Sequence, residues 1–186
     1  MSLLWCESHA HAAVGDEAFK RFLRLPISRS LEGELAAAEA WVRSWFATEA
    51  RAWSCAVEAD GELCARLADR LKSGARFAVV AVSAGPEAEA AAAAEWAADR
   101  PDRWYFLQCY AAATVEQLLA DARRRIGAAE HLCPGYPGWP VEDNAWLRDA
   151  LLRHTELPGP LDVLPSGMLR PTKSQLAICI RPEPAP

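Results

Sequence analysis

From Cys133 to Pro140 the chain reads Cys-Pro-Gly-Tyr-Pro-Gly-Trp-Pro, and no helix or central strand continues through three prolines and two glycines in seven residues. Proline fixes φ and removes a backbone donor; glycine lets another backbone or a flat ligand come close. The stretch predicts a stiff, irregular frame carrying two aromatic residues, Tyr136 and Trp139. Two readings are open at this point. Either the frame presents a phenol and a ring to a ligand, or it is a rigid connector whose aromatics plug the core.

The rest of the chain supplies a domain to hold that frame. Its 186 residues are enough for one domain with a sizeable core, and 52% hydrophobic with 24% charged residues is an ordinary globular balance. A net charge of −5 argues against a nucleic-acid or anionic-membrane surface. The one basic cluster, Arg123-Arg124-Arg125, reads as a solvated helix face. No apolar stretch reaches the roughly 18 to 20 residues that span a bilayer. Met1 to His11 has neither a basic segment nor a long apolar core, so no secretory signal is expected and the chain reads as cytoplasmic. Six cysteines occur without a C-x-x-C pair, most of them in apolar stretches where Cys behaves as a small hydrophobe, so no disulfide framework is expected.

Periodicity predicts the elements. Residues 1–15 read as an N-terminal extension, 16–181 as the domain and 182–186 as a frayed tail. A short helix is expected over Asp16 to Leu23, and a long one from the N-cap Ser30, with Leu31, Leu35, Ala38, Trp41, Val42 and Trp45 on one apolar face. Ala52 to Val57 reads as a strand and Gly61 to Leu71 as a helix ending at Gly74. Phe77 to Val82 is a continuous apolar run, the mark of a buried strand. Gly85-Pro86-Glu87 opens an Ala-rich helix. Asp102 to Ala111 begins another, and Thr114 to Gln117 matches a capping box, so one helix or two joined near Ala113 are both allowed. Glu142 to His154 is a further helix and Gln175 to Ile180 the last strand. Three or four strands with several helices predict an α+β domain with a small mixed or antiparallel sheet flanked by helices.

Taken together, several segments resemble one family. Pro134-Gly-Tyr-Pro-Gly-Trp-Pro140, between a long helix and a second helix, is similar to the P-G-Y-x-x-x-P signature of the activation domain of cobalamin-dependent methionine synthase. Phe19 to Leu25 with the following long helix resembles the start of free-standing members. Phe77 to Glu87 resembles that family's strand followed by G-P-E at a helix start. Ala112 to Leu118 is similar to its next helix, and Met168 to Ile180 to its closing M-x-P-x-K-S-x-S-G segment. The match covers most of the chain, in order.

The resemblance implies an accessory component of methionine biosynthesis that reactivates a methyltransferase. It implies S-adenosylmethionine as methyl donor, cobalamin carried by a partner domain in trans, and a flavodoxin-type electron donor. By position, Tyr136 would lie where the corrin and S-adenosylmethionine meet, as the catalytic residue. Pro134, Gly135 and Pro137 would supply backbone contacts, Trp139 a ring, and Glu116 a carboxylate for the ligand's ammonium. Such a ligand also needs a cation or N–H donors for its own carboxylate and a dry approach to cobalt. The family commonly has Arg five residues before the tyrosine, and that position here is His131, a smaller group and mostly neutral at pH 7. Leu176 and Ala177 stand where the family shows Ser-Gly. These departures imply the alternative, a non-catalytic binding module that caps a corrinoid domain with a decayed S-adenosylmethionine site.

Other constellations are weaker. Cys6-x-x-His9-x-His11 has metal-ligand residue types but no second cluster nearby, and no metal site is expected. The D-x-H-x-x-G pattern of a cobalamin-binding loop is absent; the nearest approach, Glu7-Ser-His9, lacks the glycine. No G-x-S-x-G, P-loop or strand-linked G-x-G-x-x-G occurs, and Cys133 is not expected to pair with His131 as a nucleophile.

Overall fold

A computed structural model describes residues 2–9, 14–23, 32–71 and 75–182. The sheet forms where the β-branched and small apolar runs lie. Strand β1 (Leu3–His9), β2 (Ala52–Glu58), β3 (Phe77–Ser83), β4 (Glu130–Leu132) and β7 (Ser174–Ile180) make a five-stranded sheet in the order β1-β2-β3-β7-β4. Every pairing is antiparallel, which decides between the mixed and antiparallel sheets allowed by the sequence. Two short strands, β5 (Asp162–Val163) and β6 (Leu169–Arg170), pair separately. The helices are α1 (Asp16–Lys20), α2 (Glu32–Thr48), α3 (Gly61–Arg66), α4 (Pro86–Ala97), α5 (Pro101–Ile126) and α6 (Asn144–Leu152).

Central β3 is buried along its whole length, as its unbroken apolar run requires. Both faces of the sheet are covered. On one face Ala52, Ala56, Ala78, Val80, Val82 and Ala177 meet the buried stripe of α5. The small side chains let that helix lie close to the strands. Against α5 pack α2 and α4. On the other face Trp53, Val57, Phe77, Val79, Leu176 and Ile178 meet Leu63 and Leu67 near α3, Leu147 and Leu151 of α6, and side chains from coil.

Two expectations change, for β1 and α3, and one open choice, for the long helix, closes. Leu3–His9, read as part of an extension, is edge strand β1; Leu-Leu-Trp-Cys has no clean alternation, and an edge strand with one buried side chain, Trp5, gives little periodic signal. The stretch from Asp102 to Ile126 is one helix. Thr114 caps nothing, because its buried hydroxyl donates to the Tyr110 carbonyl one turn back at 2.9 Å. Helix α3 is shorter than expected and ends at Arg66 in turns. Ser30, Gly74, Leu25 and residues 183–186 lie outside the described residues. Among those described, no helix is long and apolar enough to cross a membrane.

Candidate functional site

The proline–glycine bend lies at the end of a short path from α5. Gly127, in a left-handed conformation at φ +71°, stops the helix. The chain then pairs with the outer edge of β7, His131 opposite Cys179 and Leu132 opposite Ile178. Beyond Leu132 the bend closes on itself. The Tyr136 N–H donates to the Cys133 carbonyl at 3.1 Å, the Gly135 N–H to the Trp139 carbonyl at 2.8 Å, and the Trp139 N–H to the Tyr136 carbonyl at 2.9 Å. Gly135 sits at φ +92°, a backbone state that a side chain would strain. A single turn of 3-10 helix (Val141–Asp143) then leads into α6.

This closure sends the two aromatics to opposite sides. Tyr136 is 40% exposed and stands at the rim of a groove of about 280 Å³. Trp139 is 5% exposed and belongs to the core under the sheet. Its indole N–H donates to Asp143 Oδ2 at 2.7 Å, and the Arg70 guanidinium lies 5.6 Å over its ring. The two rings thus part ways: Tyr136 is exposed and open to contact, and Trp139, expected as a ligand contact, is a core plug. A large ring within the apolar core under the sheet gains more from burial than from the bend's outer surface.

Three pieces of chain line the groove: Cys133 to Tyr136 of the bend, Val141 and Asn144 beyond it, and the segment from Met168 to Leu176. Pro134, Gly135 and Tyr136 are thus on it, while Pro137 is exposed and does not line it. His131 stands behind Tyr136, its Nε2 3.3 Å from the phenol oxygen, with ring centroids 6.0 Å apart. Glu116 is exposed on α5, close enough for its charge to act on His131, Cys133 and Tyr136. Glu116, His131 and Tyr136 therefore share one neighbourhood.

The electrostatics favour the uncharged forms of His131, Cys133 and Tyr136. Burial, followed by the nearby Arg123 charge, lowers the His131 pKa, and Glu116 opposes that only in part. Burial raises the Tyr136 phenol above its ordinary value, helped by Cys133 and Glu116 and relieved by hydrogen bonding from Gln175. Cys133 is buried and pushed up to about 11, and its sulfur accepts from the Gln175 amide at 3.0 Å, an environment that favours the protonated thiol. Among the described residues, none of those lining the groove carries a charge. The arrangement suits binding and covering a ligand rather than acid–base attack.

The loop offers little donor capacity. Pro134 and Pro137 have no N–H, and that of Gly135 is used within the bend. The Asn144 amide is engaged with the Gly167 carbonyl at 3.0 Å. The polar and polarisable side chains lining the groove are the Tyr136 phenol, the Met168 thioether and the Thr172, Ser174, Asn144 and Gln175 groups, with the Glu116 carboxylate nearby. Gln175, Asn144 and the exposed Met168 were not singled out in the sequence; the closing segment marked the region of two of them, but no periodicity marked which residues face the groove.

The metal-type residues near the N-terminus do not assemble. In β1, Cys6 stands opposite Cys55, whereas His9 Nε2 bonds Ser54 Oγ at 2.8 Å on the other face. His11 lies outside the described residues. No protein-family model matches the chain, and no curated protein matches it.

Proposed function

We propose that this chain is an accessory component for reductive reactivation of a cobalamin-dependent methionine synthase or related corrinoid methyltransferase, working in the cytoplasm with S-adenosylmethionine as methyl donor. The observation that carries the proposal is the self-bonded bend that holds the Tyr136 phenol at the rim of an open groove, beside His131 and within reach of the Glu116 charge. The P-G-Y signature in that bend adds to it.

The donor set was weighed against the ligand. A sulfonium amino acid carries two cationic centres, and the Glu116 carboxylate beside an uncharged groove suits its ammonium. At about 280 Å³ the groove lies just under the roughly 300–1,000 Å³ of pockets that enclose a small molecule, so a partner would complete the enclosure. Cobalamin, carried by that partner, would supply the cobalt that is reduced and takes the methyl group. In this scheme the neutral phenol of Tyr136 covers the meeting point and excludes water, and Glu116 orients the ligand's amine.

Calorimetry with S-adenosylmethionine, with and without a cobalamin domain, tests this reading. Binding that tightens with the partner supports it. Absence of binding at millimolar ligand in both arms removes the methyl-donor role.

One observation favours the non-catalytic alternative. The groove lacks a charged lining residue, and His131 is held neutral where a fixed cation would anchor a carboxylate. Replacing His131→Arg separates the two. Gain of ligand affinity supports a decayed site; unchanged tight binding by both forms supports the active one.

A further inference from the structure

On the other edge of the sheet two thiols face each other. Cys6 of β1 and Cys55 of β2 are directly opposite in an antiparallel pairing. Opposed residues in such a pair have Cα atoms about 4.5 or 5.5 Å apart, inside the 4.4–6.8 Å range of disulfides. Both side chains point to the same face, where Cys55 is buried in the core beside Trp53 and Cys6 packs against it half-exposed. The Cys55 thiol is driven far above its ordinary pKa by burial and by hydrogen bonding and charge from Cys6, which marks the sulfurs as neighbours. A thiol pair beside bulk solvent at a sheet edge differs from the other four cysteines. Cys109, Cys133 and Cys179 are buried, and exposed Cys64 lies on α3. The edge can also adjust: β1 has a partner on one side only, and its register shifts between Leu3 and Trp5, next to Cys6.

We propose that Cys6 and Cys55 are a reversible disulfide site that staples β1 to β2 when the protein meets a small-molecule disulfide such as oxidised glutathione. The proposal stands independently of the groove. Cys6, the accessible thiol, loses its proton and attacks one sulfur of the oxidant, expelling one glutathione thiolate and forming a mixed disulfide. Cys55 then loses its proton and attacks Cys6 Sγ, expelling the second thiolate. Two protein thiols are oxidised, one small disulfide is reduced to two thiols, and the protons released go to those thiolates. Because burial holds the Cys55 proton, the second step speeds up as pH rises. Closure takes Cys6 Sγ away from the Glu156 carbonyl, to which it donates at 3.1 Å, and so unties β1 from the segment after α6.

The test is incubation of the full chain with oxidised glutathione at mildly alkaline pH, followed by alkylation and peptide mapping. The expected result is a Cys6–Cys55 cross-linked peptide, free thiols falling from six to four, and a melting temperature raised by several degrees that dithiothreitol reverses. C6S is expected to abolish the cross-link and leave Cys55 unmodified. C55S is expected to trap glutathione on Cys6, and C64S to behave as the parent chain. C6S changes a half-exposed edge residue, so its result stands even where C55S does not fold. A wild-type chain that keeps six thiols, that stops at a glutathione adduct on Cys6, or whose disulfide joins other cysteines overturns the proposal.

Discussion

On one face of the sheet a single helix of 26 residues, about 39 Å long, covers the strands with a continuous stripe of side chains. On the other face α6 supplies nine residues, and much of the remaining cover is coil held by local hydrogen bonds and glycine turns. The helical face tolerates small changes because its backbone bonds are made within the helix. The coil face has no such redundancy, since each turn depends on one backbone conformation. The groove lies where coil joins the two layers, lined by Cys133 from the helix-covered core and by Leu169 and Leu176 from the other, and an irregular backbone there can expose a phenol without exposing the core beneath it.

That contrast can be broken first at Trp139. W139A leaves a large void under the bend and is expected to cost about 3–5 kcal/mol in denaturant unfolding. A cost under 1 kcal/mol would show that the bend does not need its plug. The next effect is at Gly167, at φ +81°, where a Cβ would lie 2.7 Å from the Glu142 nitrogen and 2.8 Å from the Val141 carbonyl carbon. G167A is expected to cost about 2–3 kcal/mol, read as a lowered melting temperature. Gly33 in the first turn of α2 has open space around its Cβ position, so G33A is expected to stabilise by about 0.5 kcal/mol in the same assay. Equal effects at the two glycines would erase the distinction between the faces.

Tyr136 sharpens the comparison from the other direction. Y136F keeps the ring and removes the hydroxyl near His131, so unfolding is expected to change by less than about 0.5 kcal/mol while ligand or partner affinity falls at least severalfold, measured by calorimetry. The smallest effect is a pH slope. Burial lowers the His131 pKa in the folded state, so the unfolded chain binds the extra proton first on acidification. The histidine's contribution to stability is present above its ordinary value, near 6.5, and is lost as pH falls through that value toward the folded one. H131Q should flatten this part of the pH–stability curve, and an NMR titration of the His131 ring should place its midpoint below that of an unfolded histidine.

The helical side was readable because periodicity and caps report on helices directly. Val115, Leu118, Leu119 and Ala122 fall on the expected stripe and are buried. Thr114 shows the limit there: a capping-box spacing inside a helix looks the same in sequence whether the hydroxyl caps an end or bonds back one turn. The bend itself was visible in its prolines and glycines, and so was the candidacy of Tyr136. The fate of Trp139 was not, because an irregular segment has no period from which to tell inside from outside. Strand β4, three residues long, and β5 and β6, two each, are too short for any alternation to emerge. The closeness of Glu116 to His131 is a tertiary fact, created by the return of the chain onto β7 after α5.

The bend ties the amides of Gly135, Tyr136 and Trp139 to its own carbonyls before anything docks on it. A partner arriving at Tyr136 would meet a surface that has already lost its conformational freedom in folding, so little ordering entropy remains to be spent at contact. Association at this face should then run at the ordinary protein–protein rate of about 10⁵–10⁷ M⁻¹s⁻¹, set by encounter and orientation, without a slow isomerisation after collision.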